Sequence, residues 1–137
     1  MDDAVARFRA ASEANDIDAM MASLAPDAAL VSPVSGRLVF RGHPDLRVLL
    51  GAVYGALGEV RWGDELGDGR LRVVLGESTV GPVKLGDAMV LELAEDGRIR
   101  QIRPYLRPWL ALTLLALKLG PKLARHPGIL RRALSAA

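Results

Sequence analysis

The chain contains no cysteine. Disulfides and thiol nucleophiles are thereby excluded, and a cytoplasmic setting is the expectation. Histidine is nearly as scarce, with only His43 and His126. Two imidazoles without a thiolate do not make an ordinary zinc site, so no metal is expected. Glycines stand singly at turns and form no phosphate-cradling loop, and no cofactor is expected. Long apolar runs are missing too. The longest, Trp109 to Leu117, falls short of the roughly 20 residues that cross a bilayer. The opening Met1-Asp2-Asp3 is acidic and leads into an amphipathic pattern, so no secretory signal is read there.

Acidic residues are absent from one whole segment. Residues 97–137 carry 9 of the 18 basic residues and no acid, whereas residues 1–96 hold all 16 acids and the other 9 basic residues. This asymmetry predicts a basic tail packed on an acidic body, of the same chain or a dimer mate, with an anionic partner as the alternative. Aromatic interleaving in that tail is limited to Tyr105 and Trp109, so no nucleic acid is expected.

What is present is a globular composition. Half of the 137 residues are hydrophobic and a quarter are charged, enough for one domain with a sizeable core. Val5, Phe8, Ala11 and Ser12 recur at helical spacing and predict a helix over 3–14. Asp16 caps a second helix over 17–24, which Pro26 stops. Strands are predicted over 28–34 and 38–40. Pro44 then opens a third helix whose apolar face is Leu46, Leu49, Leu50 and Val53. Alternating stretches follow over 60–66, 71–75, 83–93 and 98–106, punctuated by Gly67-Asp68-Gly69 and Asp96-Gly97. Helices first and strands after them predict an α+β fold, with helices against one face of a bent antiparallel sheet.

The tail differs from the rest. Residues 108–119 are helical in period and apolar on nearly every side. Gly120-Pro121 is expected to break this helix, and a second helical stretch covers 122–136. The chain is thus divided into a domain over 1–107 and an apolar, basic helical extension over 108–137. Seven large apolar residues between Trp109 and Leu119 cannot all face water. They are expected to form a lid or brace at a cavity mouth, with a dimer contact or a membrane-surface helix as the alternatives.

The ordered set Phe8, Asn15-Asp16-Ile17-Asp18, Ala25-Pro26-Asp27, Ser32-Pro33-Val34, Arg41-Gly42-His43-Pro44 and Glu95-Asp96-Gly97-Arg98 resembles the NTF2-like superfamily, which includes ketosteroid isomerases and SnoaL-like cyclases. The resemblance covers about residues 3–106. It implies a cone of three N-terminal helices wrapped by a strongly bent antiparallel sheet, an internal pocket for a small hydrophobic ligand, and a homodimer through the outer sheet face. Several of the family's chemical positions are replaced. Phe8 stands where the isomerases carry a phenol, Ser32 where they carry the general base, Met89 where they carry a second oxyanion donor, and Pro104 where the epoxide hydrolases carry an aspartate. The resemblance therefore implies a pocket more firmly than a reaction. Either an isomerase, cyclase or hydrolase, or a binding module without catalysis, is compatible with it.

Asp87 is the residue that the pattern singles out. It shares strand parity with Leu85, Met89 and Leu91, and a carboxylate on an apolar face is suited to acid/base work. The alternative is an aspartate near the strand start, solvated or paired with an arginine. His43 is a second catalytic candidate, with capping of the third helix as its alternative. Phe8, Ser32, Trp62, Asp64, Met89, Ile102 and Leu106 are the candidate ligand-binding residues, with core packing the alternative for Phe8, Trp62 and Met89, a satisfied strand hydroxyl for Ser32, and solvation at the strand end for Asp64. Arg61, Arg70, Arg72, Arg103 and Tyr105 are expected on the outer face of the sheet, toward a dimer partner.

Overall fold

The computed structural model describes residues 3–135. Helix α1 (Ala4–Glu13) starts where the Asp3 carboxylate accepts a 2.8 Å bond from the Ala6 amide. Its buried face is Ala4, Val5, Phe8, Ala11 and Ser12, the stripe that the spacing predicts. Asp16 caps helix α2 (Ile17–Ala22) through the Ala19 amide. The chain then departs from the predicted boundaries. The helix ends early, with Ser23 turning its hydroxyl back to the Met20 carbonyl at 2.6 Å. Strand β1 (Leu24–Val31) begins before Pro26 and stops before Ser32. Burial of Leu24, Ala25, Ala28 and Leu30 supplies the reason. Pro26 is tolerated because the pairing of β1 is irregular between Leu24 and Ala29, where no ladder amide is required. Ser32, Pro33 and Val34 consequently lie in the connection to β2 (Val39–Arg41).

Gly42, at φ +85°, leads into helix α3 (His43–Ala56), and Pro44 occupies its first turn. Strands β3 (Gly58–Leu66), β4 (Leu71–Val80), β5 (Val83–Leu93) and β6 (Ile99–Arg107) follow. The six strands form one sheet in the order β2-β1-β6-β5-β4-β3. Every neighbouring pair is antiparallel except β1 with β6, which is parallel. The helices pack on the concave face, and Phe8, Met20, Leu46, Leu50, Leu91 and Ile102 anchor the core between them.

The extension is two helices, α4 (Trp109–Ala124) and α5 (Pro127–Ser135). Helix α4 does not break at Gly120-Pro121. The bond lost there would join Pro121 to the Leu117 carbonyl, and both residues lie on the exposed side, where water can serve that carbonyl. Meanwhile Ala111, Leu115 and Leu123 continue the buried stripe through the proline. The break falls instead after Ala124, and Pro127 opens α5. The predicted end of this helix, Ala136, lies outside the described residues.

Basic tail meets acidic body in the same chain. Arg132 of α5 donates two bonds, of 2.9 and 2.8 Å, to the nearly buried Asp45 carboxylate in the first turn of α3. This forked contact and the burial of Ile129 and Ala133 hold α5 on the body. Arg132→Ala should lower the melting temperature, and Arg132→Lys should recover only part of it, because an ammonium cannot make two parallel bonds. Calorimetry checks this. Identical melting of the alanine variant and the parent would show that apolar packing alone docks α5.

Candidate active site

The concave face of the sheet, α3 and α4 enclose a cavity of about 260 Å³. Strand periodicity explains which side chains reach it. On β5, Asp87 and Met89 reach it from the inward parity that they share with the core residues Leu85 and Leu91, and on β6 Ile102, Pro104 and Leu106 reach it in the same way. Helix α1 contributes Phe8, and α3 contributes Leu50, Val53 and Tyr54. Leu112, Leu115 and Leu119 of α4 close one wall. The inner face of the extension is therefore part of the cavity.

Among the described residues that line the cavity, three side chains are polar: Ser32, Tyr54 and Asp87. The Ser32 hydroxyl accepts a 3.1 Å bond from the Val34 amide and shapes the turn after β1. Asp87 has no such engagement. Its Oδ1 atom is buried and has no hydrogen-bond partner among the described residues. Burial pushes its carboxyl up from 3.8 to about 7. Tyr54 is buried, and its phenol is pushed well above the ordinary value, first by burial and then by the negative charge of Asp87, with a Ser12 hydrogen bond opposing. It therefore stays protonated and can donate a hydrogen bond.

A polar chain stands behind the phenol. Trp62 Nε1 donates to Ser12 Oγ at 2.8 Å, and Ser12 Oγ donates to the Arg9 carbonyl at 3.0 Å. The Tyr54 ring meets Phe8 edge-on, with centroids 6.3 Å apart and planes at 74°. A buried Tyr54 ring is thus held against Phe8, with Ser12 near its oxygen.

Of the residues singled out by the sequence, Phe8, Ser32, Asp87, Met89, Ile102 and Leu106 come together in this cavity. Three do not. Trp62 lies behind Tyr54, where a small gap shared with Asp87 separates it from the cavity. Asp64 is exposed, because the register of β3 shifts between Trp62 and Glu65 and carries it off the inward face. His43 sits at the start of α3 with its Nε2 3.0 Å from the Ala25 carbonyl, away from the cavity lining. Tyr54 is the residue that the sequence reading missed. Its signal is the row Leu46, Leu50, Tyr54 at intervals of four, one turn beyond the apolar face that was recognised.

On the outer face, Arg103 and Tyr105 are exposed, as their parity predicts. Arg72 instead pairs within the chain, with Glu65 at 2.9 Å and Asp3 at 3.4 Å. Among the described residues no group of three or more His, Cys, Asp or Glu side chains is placed to hold a metal ion. No described helix is long and apolar enough to cross a membrane.

No family model matches the chain. No curated protein matches it. Solved structures do. An uncharacterised protein with a cystatin-like fold from Silicibacter pomeroyi DSS-3 superposes with a TM-score of 0.87 at 22% identity, over 95% of this chain and 93% of that one. A steroid delta-isomerase from Pseudomonas aeruginosa gives 0.81 at 24% identity, over 91% and 92%. An NTF2-like protein of unknown function from Burkholderia xenovorans LB400 gives 0.68 at 21% identity, over 75% and 79%. At these identities the likeness is one of architecture: the chain has the cystatin-like fold of the NTF2-like proteins.

Proposed function

We propose that the cavity binds a small apolar ligand with fused rings and that Asp87 moves a proton on it. The observation that carries this is the unpartnered, buried Asp87 oxygen in an otherwise apolar cavity. An unsatisfied buried carboxylate oxygen is costly to keep, and a ligand hydroxyl or acidic C–H would meet it. A carboxyl raised to about 7 can both give and take a proton near neutral pH. The Tyr54 phenol, turning its proton from Ser12 Oγ to the ligand, would supply the complementary group, a donor toward a carbonyl or phenolate oxygen. Together they suit a cofactor-independent isomerase or cyclase, in which one carboxyl removes a proton and returns it elsewhere. The steroid delta-isomerase among the similar structures supports this class.

A second reading, binding without turnover, is favoured by Ser32 and Phe8. They stand where the related isomerases carry a base and a phenol, and the Ser32 hydroxyl is taken up by Val34. Fluorescence titration with 2-naphthol tests the common core of both readings. We expect saturable binding that weakens by about tenfold in Tyr54→Phe and in Asp87→Asn, the range for a lost hydrogen bond to a charged or buried partner. Absence of binding, or binding indifferent to both substitutions, removes the proposal. Once a reaction is in hand, turnover that survives in Asp87→Asn leaves the binding reading.

A further inference from the structure

Helix α4 has two apolar faces, and the cavity uses only one. The inner face carries Leu112, Leu115 and Leu119. The outer face carries Trp109, Leu110, Thr113 and Leu117, which fall three and four residues apart and so form one surface stripe. These apolar side chains lie open to solvent: Trp109 is 76% exposed, Leu117 66% and Leu110 45%. A single exposed leucine needs no explanation, but an aligned tryptophan and two leucines do. Exposed Lys118, Lys122 and Arg125 follow along the same helix, and Arg131 lies on α5. None of these four cations pairs with a carboxylate among the described residues. Residues 97–137 supply no acid to neutralise them.

We propose that this outer face docks the protein on an anionic lipid surface. The chemistry fits at both levels of depth. Trp109, Leu110 and Leu117 would enter the boundary between headgroups and acyl chains, while the lysine and arginine side chains remain with the lipid phosphates. Charge decides against a second copy of the chain as the occupant. A twofold contact through α4 would bring the unpaired cations no carboxylate from that helix, whereas lipid phosphates meet them directly. The docked face is the back of the wall that closes the cavity, so docking would hold that wall against the bilayer. The inference does not depend on what the cavity binds, and it can be tested without any ligand.

Sedimentation with vesicles provides the test. The protein should sediment with phosphatidylcholine vesicles containing phosphatidylglycerol and remain in solution with phosphatidylcholine alone. Raising the salt to about 0.5 M should release it, because surface attraction is screened within a few ångströms at that strength. Trp109→Ser/Leu117→Ser and Lys118→Glu/Lys122→Glu/Arg125→Glu should each weaken binding by at least roughly tenfold. Their melting transitions should stay close to that of the parent. A Lys118→Arg/Lys122→Arg variant should bind as the parent does, which separates lost charge from a disturbed helix. No sedimentation with anionic vesicles, equal sedimentation with neutral ones, or indifference to both variants overturns the proposal. So does light scattering that shows a dimer lost in Trp109→Ser/Leu117→Ser, since a second copy would then cover the face.

Discussion

Asp87→Asn should make the protein more stable near pH 8 than the parent and leave the two nearly equal near pH 4. Folding takes this carboxyl from 3.8 to about 7. Below about pH 4 it is protonated in both states and costs nothing. Between those values the unfolded chain gives up the proton and the folded protein keeps it, so stability falls as pH rises. Above about pH 7 the group is ionised in both states, and the full penalty of holding a charge in an apolar cavity is present. A shift of this size corresponds to a ceiling of roughly 4 kcal/mol, and partial access to solvent at the residue brings the expectation to about 2–4 kcal/mol. For a domain of this length that is a gap of roughly 10 °C in melting temperature. The comparison should be made as a difference between variant and parent at each pH, so that all other titrations cancel. A difference that stays constant from pH 4 to pH 8 would place the carboxylate in water in the folded state, and the proposed acid/base role would lose its physical basis. The same substitution is expected to abolish proton transfer, so stability gained at the expense of activity is the signature to look for.

Legibility of this fold in its sequence follows the local regularity of each element. Strand β5 alternates without interruption from Val83 to Leu93, and parity alone therefore put Asp87 on the inward side with Met89. On β3 the same rule failed. The register shifts on either side of Arg61 and Trp62, and parity cannot be carried across such a shift to Asp64. Proline rules misplaced two boundaries for a common reason. Pro26 and Pro121 each fall where the missing amide has no obligatory partner, in an irregular strand pairing and on a solvent-facing turn, while neighbouring apolar side chains keep the element going. Tyr54 escaped notice because its phenol gains meaning only from long-range neighbours. Phe8, Ser12 and Asp87 come from other elements, and no spacing along the chain announces their meeting. The two faces of α4 were unreadable for a similar reason. A helix apolar all round shows that something must cover it, and only the packed body shows which side is left over.

Gly76→Ala should destabilise the protein strongly, although alanine is the better residue by chain entropy and glycine is a poor strand former. Gly76 pairs with Trp62 across β3 and β4, and the indole lies over the glycine. A Cβ atom there would sit inside the contact distance of indole Cε3, 2.7 Å from Cζ3 and 3.2 Å from the Arg61 carbonyl oxygen. The carbonyl is backbone and cannot give way, so the ring must move. Moving it breaks the 2.8 Å bond from Trp62 Nε1 to Ser12 Oγ, the group that also serves Tyr54. Overpacking of a fitted contact costs about 1–3 kcal/mol and the lost hydrogen bond about 1 kcal/mol, so a total of about 3 kcal/mol is expected. Denaturant unfolding measures it. Trp62→Leu should cost stability alone yet make the Gly76→Ala change nearly harmless, because the smaller side chain vacates the space that the new methyl needs. The coupling in that double-mutant cycle should be of the same order as the single effect. Additive losses would mean that the indole does not rest on Gly76. In that case Ser12 would orient Tyr54 without Trp62 behind it, and the glycine would owe its place to the strand twist alone.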